Sequence, residues 1–257
     1  MRYTRNNQLL LDGTFDEIIK NQYYVVTRKG DNYDIYNTLL QPIIKNVRDY
    51  NFDHLNIQVL KDNEVTTKGV SGGAELVFDE YYLRDECGAG KAERVEYEIV
   101  TNPKGGYNLL AIRAKNAQPS SSYIQKSEGF DAIEWVNGSS RRSFGGKFEE
   151  PEPLVEAYRL RQDLLVVKKK SRYGIAIIDQ NTLKLLTDVS YDAVLFKPNE
   201  PLVLEKEGKV FLFFMNGVSK PFKSLGQRDK VFIRYENEDG TRGWFNLAKH
   251  IALDDIK

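Results

Sequence analysis

Two histidines, one cysteine and a scatter of carboxylates are the side chains of this 257-residue chain best suited to chemistry, and their spacing limits what they can do. His54 and His250 each stand without a second His or Cys at ligand spacing, so no zinc or other transition-metal site is expected. Cys87 has no second cysteine to pair with, and as a nucleophile it would need a positioned base; only His54 precedes it, with no third group to orient that imidazole. The run Gly88-Ala89-Gly90-Lys91 ends like a phosphate-binding loop, but Asp85 stands where the first Gly belongs and Ala92 where the magnesium-binding hydroxyl belongs. Asn237-Glu238-Asp239-Gly240 has the acidity of a calcium loop, yet Tyr235 would hold the first ligand position and no Glu the twelfth, so it reads as a hairpin turn. No catalytic residue, cofactor or metal is therefore expected. Glu149, Glu150 and Glu152 cluster in a Pro-flanked stretch and read as a solvated face; a two-carboxylate glycosidase site assembled in space is the enzymatic alternative.

What remains is chemistry of recognition. Trp135, Arg141, Arg142 and Phe144 surround the Asn137-Gly138 pair, combining indole, guanidinium and phenyl groups of the kind that dominate protein interfaces. They are the candidate partner-binding residues; the competing reading makes Trp135 core and the two arginines merely solvated. Lys and Arg number 37, as do Asp and Glu, so nothing in the total favours nucleic acid. The opening MRYTRNNQLLLDGTFDE has only a three-leucine run, short of the ~7 to 15 apolar residues of a signal core. No stretch reaches the ~18 apolar residues of a membrane span, and a soluble cytoplasmic protein without a membrane partner is expected.

The elements that must position these residues are β-hairpins. LLVVKKKSRYGIAIID, LVLEKEGKVFLFFMNG and VFIRYENEDGTRGWFNL, within 164–247, each join two apolar strands through a polar turn. Similar hairpins are expected at 23–36, 55–65 and 95–114, and Asn137-Gly138 is the strongest two-residue hairpin signal in the chain. Turn centres at Gly30, Asp62, Gly105, Gly138, Lys170, Gly208 and Gly240 lie on average 35 residues apart. That period predicts an all-β tandem hairpin-repeat array, propeller-like or open and curved, in which each unit stacks on its neighbours. Phe15-Asp16, Phe52-Asp53, Phe78-Asp79, Phe130-Asp131 and Tyr191-Asp192 form a second marker, an aromatic-Asp pair ahead of hairpins.

Helix composition is acceptable only over Phe15 to Asn21 and Pro151 to Arg161, while Asn116 to Ser122 and Gly138 to Pro153 read as loops. One β-repeat domain over 1–257 is expected, with subdivision into 1–138 and 154–257 as the alternative.

The run Tyr173-Gly174-Ile175-Ala176-Ile177-Ile178-Asp179, followed by Tyr191-Asp192-Ala193-Val194, resembles the bacterial WG-repeat (KWG-type) proteins, chiefly over 155–250. Gly243-Trp244-Phe245 looks like the family's eponymous step in reversed order. The resemblance implies an all-β repeat scaffold without transferable catalytic residues. The expected function is a non-enzymatic protein-binding module, similar to bacterial immunity or adaptor proteins that cover a toxin or scaffold a partner; a β-repeat carbohydrate-binding protein or glycoside-active enzyme is the alternative.

Overall fold

β-branched and aromatic runs interrupted by short polar turns favour antiparallel hairpins, and the protein is built of little else. The structure, a computed structural model, describes residues 3–5, 8–11, 13–21, 23–53, 56–69, 95–101, 107–115, 118–125, 130–136, 141–144, 164–179, 182–196 and 200–256. Among them there is no helix. β1 (Tyr3–Arg5) and β2 (Gln8–Leu11) pair with each other. β3 (Glu17–Lys20), β4 (Tyr24–Lys29), β5 (Asn32–Asn37) and β6 (Pro42–Val47) form a four-stranded meander, and β7 (Asp49–Asp53), β8 (Asn56–Lys61) and β9 (Glu64–Gly69) a three-stranded one. Next come β10 (Val95–Thr101), β11 (Tyr107–Lys115), β12 (Gln118–Gln125), β13 (Ala132–Trp135), β14 (Arg141–Phe144), β15 (Leu164–Lys169), β16 (Arg172–Asp179) and β17 (Thr182–Leu185). These sort into sheets of order β12-β11-β10-β14 and β13-β15-β16-β17. Two more four-stranded meanders follow: β18 (Ala193–Leu195), β19 (Val203–Lys206), β20 (Lys209–Phe214), β21 (Gly217–Val218), then β22 (Ser224–Asp229), β23 (Phe232–Glu236), β24 (Arg242–Asn246), β25 (Ile251–Asp254).

The all-β hairpin array is thus as expected, with turns at Gly30, Asp62, Lys170, Gly208 and Gly240. The Asn137-Gly138 hairpin is not: β13 pairs with β15 through Trp135↔Leu165, whereas β14 pairs with β10 through Glu98↔Arg141. Burial of Ile133 and Trp135 against Leu165 and Val167 outweighs a local turn preference. Phe15 to Asn21 is no helix, since Glu17–Lys20 is strand β3, and seven residues are too few for a helix to hold against sheet pairing. β12 occupies most of the stretch read as a loop at Asn116 to Ser122, and β14 lies inside the stretch Gly138 to Pro153. Pro151 to Arg161, Phe78-Asp79, His54 and Cys87 fall outside the described residues.

The chain divides into two compact units. The first comprises Met1–Tyr82, Gln227–Arg234 and Thr241–Lys257; the second, Leu83–Gly226 and Tyr235–Gly240. In the first, Tyr24, Val26, Ile35, Val47, Tyr50, Ile57 and Val59 make a core in which Tyr24 stacks on Phe52 with ring centres 5.5 Å apart. In the second, among the described residues, one core gathers around Trp135, Leu165 and Val167 and another around Leu164, Ile175, Tyr191, Leu204 and Phe213.

The aromatic-Asp pairs have a structural meaning that recurs from sheet to sheet. The Asp16 backbone N–H donates to Arg28 O, and its carboxylate accepts the N–H of Gly30 in the hairpin turn at 2.7 Å. Asp131 does the same with Lys168 O and Lys170 N–H, and Asp192 with Glu205 O and Glu207 N–H, again at 2.7 Å to the turn amide. Each Asp therefore fastens the start of a sheet's first strand to the turn of its central hairpin. Arg48 and Lys223 occupy the equivalent place in two other sheets, donating to Leu60 O and Glu236 O, with no carboxylate to offer the turn. Phe52-Asp53 lies inside β7 and is not such a clamp.

The residue just before Asp192, Lys223 or Arg48 links to the preceding sheet. Tyr191 exchanges both backbone hydrogen bonds with Tyr173, Phe222 does so with Val210, and Val47 stands in register with Tyr33. In each case the partner is the second residue of the preceding sheet's third strand. Gly174 makes a close approach here, where a Cβ would stand 3.1 Å from Asp188 O and from Val189 Cγ2 and crowd both.

Candidate interaction surface

The four residues expected to bind a partner lie on strands of two different sheets. Trp135 is 4% exposed and belongs to the core, its indole N–H without an acceptor among the described residues. Arg141, Arg142 and Phe144 lie on β14, in another sheet, where Tyr97↔Arg142 and Val95↔Phe144 are in register. They do not form one hairpin surface with Trp135.

A groove in the second unit forms where β17 ends and β21 begins. Leu185, Leu186, Thr187, Asp188, Tyr191, Gly217 and Val218 enclose a cavity of about 370 Å³, open to solvent. Leu185 is 46% exposed and Val218 40%, an arrangement that leaves apolar surface in water. The loop is built by local chemistry. Thr187 Oγ1 accepts the Ile175 N–H at 2.9 Å and donates to Asp188 O, while Leu186 N–H returns to Ile175 O. Ser219 repeats this in the next sheet, accepting from Leu212 N–H at 2.9 Å and donating to Lys220 O. The Thr187 hydroxyl is thus fully engaged, and the groove presents polar and apolar surface side by side, the apolar part including Leu185 and Val218. Tyr191 lies at its base, its hydroxyl pushed up in pKa by burial and by Asp188. Gly217, at φ +145 with nothing within 4 Å of a would-be Cβ, leaves the β21 side open.

A second cavity of about 300 Å³ is polar, lined by Lys209, Pro221, Phe222, Asn237, Glu238 and Asp239. Lys209 is bound there by Glu238 at 3.1 Å.

In the first unit a buried polar cluster joins sequence-distant segments. Asp49, 2% exposed, accepts from Asn246 Nδ2 at 2.6 Å and pairs with Lys249, whose ammonium lies 4.2 Å from the centre of the Tyr50 ring. Burial pushes the Tyr24 hydroxyl up to about 12 and raises Tyr50 and Tyr33 as well, with Asp49 adding to both. Gln58 bonds to Asp229, Trp244 Nε1 donates to Asn63 O at 2.9 Å, and Arg234 pairs bidentately with Asp255 at 2.7 Å. Every group is matched to another within the cluster, so it serves as architecture. Among the described residues no group of three His, Cys, Asp or Glu could hold a metal ion, and no helix is long and apolar enough to cross a membrane.

Sequence reasoning missed Leu185, Leu186 and Val218. The alternation in TLKL places Leu183 and Leu185 on one face of β17, and no sequence pattern says which part of that face is left uncovered.

No family model matches the chain, and no curated protein matches it. Among solved structures it is similar to Hsv2 of Kluyveromyces marxianus, at 12% identity over 93% of this chain and 66% of that one, with a TM-score of 0.26. A provisionally named 6-phosphogluconolactonase from Bacteroides uniformis matches at 9% identity over 90% of this chain and 80% of that one, TM-score 0.24. The N-terminal domain of Nup159 matches at 8% identity over 90% and 76%, TM-score 0.20. The chain spans about two thirds of the length of the Hsv2 chains. At such scores the likeness carries no argument about activity or partner.

Proposed function

We propose that the protein is a binding module for another protein, and that an extended segment of the partner places an apolar side chain in the groove of Leu185, Leu186, Tyr191 and Val218. The observation that carries this is the exposure of Leu185 and Val218 on either side of an open cavity large enough for a bulky side chain. β21 is a two-residue strand at the edge of its sheet, and an extended segment can add main-chain hydrogen bonds at such an edge while its side chains fill the cavity. A WG-repeat kinship remains part of this reading. What supports it is that Tyr173-Gly174 lies near the start of β16 at a close approach that a larger side chain would crowd, and that Tyr191-Asp192 links and clamps successive sheets. Covering a toxin, as an immunity protein does, is one form that such binding takes.

The test is selection of extended peptides from a randomised display library on the wild-type protein, with affinities then measured on a Leu185→Lys, Val218→Lys double variant. Both residues are exposed, so the variant is expected to fold. Selected peptides should weaken by about tenfold or more. Equal binding to both proteins, or no enrichment at all, would sink the proposal.

A further inference from the structure

The turn between β15 and β16 carries four cationic residues in five positions, Lys168, Lys169, Lys170 and Arg172 around Ser171. It lies in a chain whose charges balance overall at 37 to 37. Its backbone is held in an unusual way. Lys170 has φ +48 and Ser171 φ +65, so both central residues are left-handed, the conformation for which Asn-Gly is the favoured pair. The two other described turns of this kind use Asp62-Asn63 and Glu207-Gly208. Only at Lys170-Ser171, among the described residues, are Gly, Asn and Asp all absent from such a pair. The sequence accepts backbone strain at the one place where it concentrates positive charge, and strain retained in this way points to a role.

The surroundings fix what the tip presents. The Asp131 carboxylate accepts the Lys170 N–H at 2.7 Å and sets the turn firmly. Arg172 is paired with Asp192, and the Lys168 ammonium lies 5.3 Å from the Tyr173 ring centre. Lys169 and Lys170 are exposed, and their ammonium groups have no partner among the described residues.

We infer that the Lys168–Arg172 tip is a docking element for an acidic patch on a protein partner. The inference rests on the protein-binding reading and adds the partner's charge to it. A nucleic-acid backbone asks for a continuous basic track, and here Asp131 and Asp192 flank the tip, confining the positive potential to one turn. A compact cluster of Asp and Glu side chains fits that footprint, and its attraction is the kind that speeds and orients association.

The experiment measures binding of a fluorescein-labelled oligoglutamate by anisotropy at low and moderate salt, beside a single-stranded oligodeoxynucleotide and phosphatidylserine vesicles. The wild type should bind the oligoglutamate best, and more weakly as salt rises. Lys169→Glu with Lys170→Glu should weaken it about tenfold. Lys170→Asn with Ser171→Gly should raise the melting temperature by about 3 to 6 °C while also weakening binding, because it relieves the turn and removes one cation. The groove variant Leu185→Lys, Val218→Lys should still bind the oligoglutamate, which separates failure here from failure of the groove reading. Unchanged binding after charge reversal, tighter binding of the oligonucleotide or vesicles, or no gain in melting temperature from the Asn-Gly turn would overturn the inference.

Discussion

The Asp192 carboxylate accepts the Glu207 backbone N–H at 2.7 Å while the Asp192 N–H donates to Glu205 O, so one residue holds both the first strand of a hairpin and its turn amide, fifteen residues downstream. The same two bonds recur at Asp16 and Asp131. Asp131→Ala and Asp192→Ala should each lower stability by about 1 kcal/mol, the worth of an exposed charge-assisted hydrogen bond, read as a lower denaturant midpoint at unchanged slope. An unchanged midpoint in both would show that the clamp contributes nothing.

Asp49 presents the stronger case of a buried carboxylate. Asp49→Ala leaves the fully buried Asn246 amide without its acceptor and Lys249 without its counter-charge, and should cost about 2 to 4 kcal/mol. Lys249→Met keeps the stem against Tyr50 but leaves the buried Asp49 carboxylate without its counter-charge, and should cost about as much. A Lys249→Met variant as stable as wild type in chemical denaturation would contradict this reading.

Trp244, 9% exposed, packs under Arg234 and donates its indole N–H to Asn63 O. Trp244→Ala should cost about 3 to 5 kcal/mol, and Trp244→Phe less, since it forfeits the hydrogen bond but keeps most of the packing. A melting temperature unmoved by the alanine change would refute the assignment of Trp244 to the core.

Gly174→Ala places a methyl 3.1 Å from a backbone oxygen and a valine methyl, and overpacking of this kind should cost about 1 to 3 kcal/mol. Gly208→Ala meets nothing within 4 Å, and its cost should come from the left-handed backbone alone. If Gly174→Ala proves the milder of the two in thermal melts, the close approach is not limiting.

Stability should also fall in alkali. Tyr24, Tyr33 and Tyr50 have folded pKa values raised above the ordinary 10.0 by burial, Tyr24 to about 12. Their contribution is therefore intact below pH 10 and is lost as pH climbs through that value toward 12. Ultraviolet titration should show these phenols ionising late and together with unfolding; early, reversible ionisation of all fifteen tyrosines would be inconsistent with burial.

Much of the fold could be read from residue order. The turns at Gly30, Asp62, Lys170, Gly208 and Gly240 stand where polar residues interrupt apolar runs. The aromatic-Asp pairs were visible as a marker, but their bond to a turn amide depends on distances between strands that spacing does not encode. Asn137-Gly138 misled because local turn preference is weak beside the burial of Trp135 against Leu165. The candidate groove was not legible at all. Leu185 and Leu186 are alike in sequence, and only the placement of the next sheet leaves Leu185 the more exposed.

The last strand, β25, ends a sheet, and such an edge ordinarily recruits any free strand that meets it. Here Arg48 donates to Asp254 O, and the Asn63 side-chain amide both donates to Ile256 O and accepts the Ile256 N–H. Two side chains thus stand in for a strand that is not there. The consequence concerns colloidal behaviour: the chain just past β25 is tied down beside exposed Ile251 and Ile256, and an Asn63→Ala variant should aggregate more readily than wild type in a light-scattering assay.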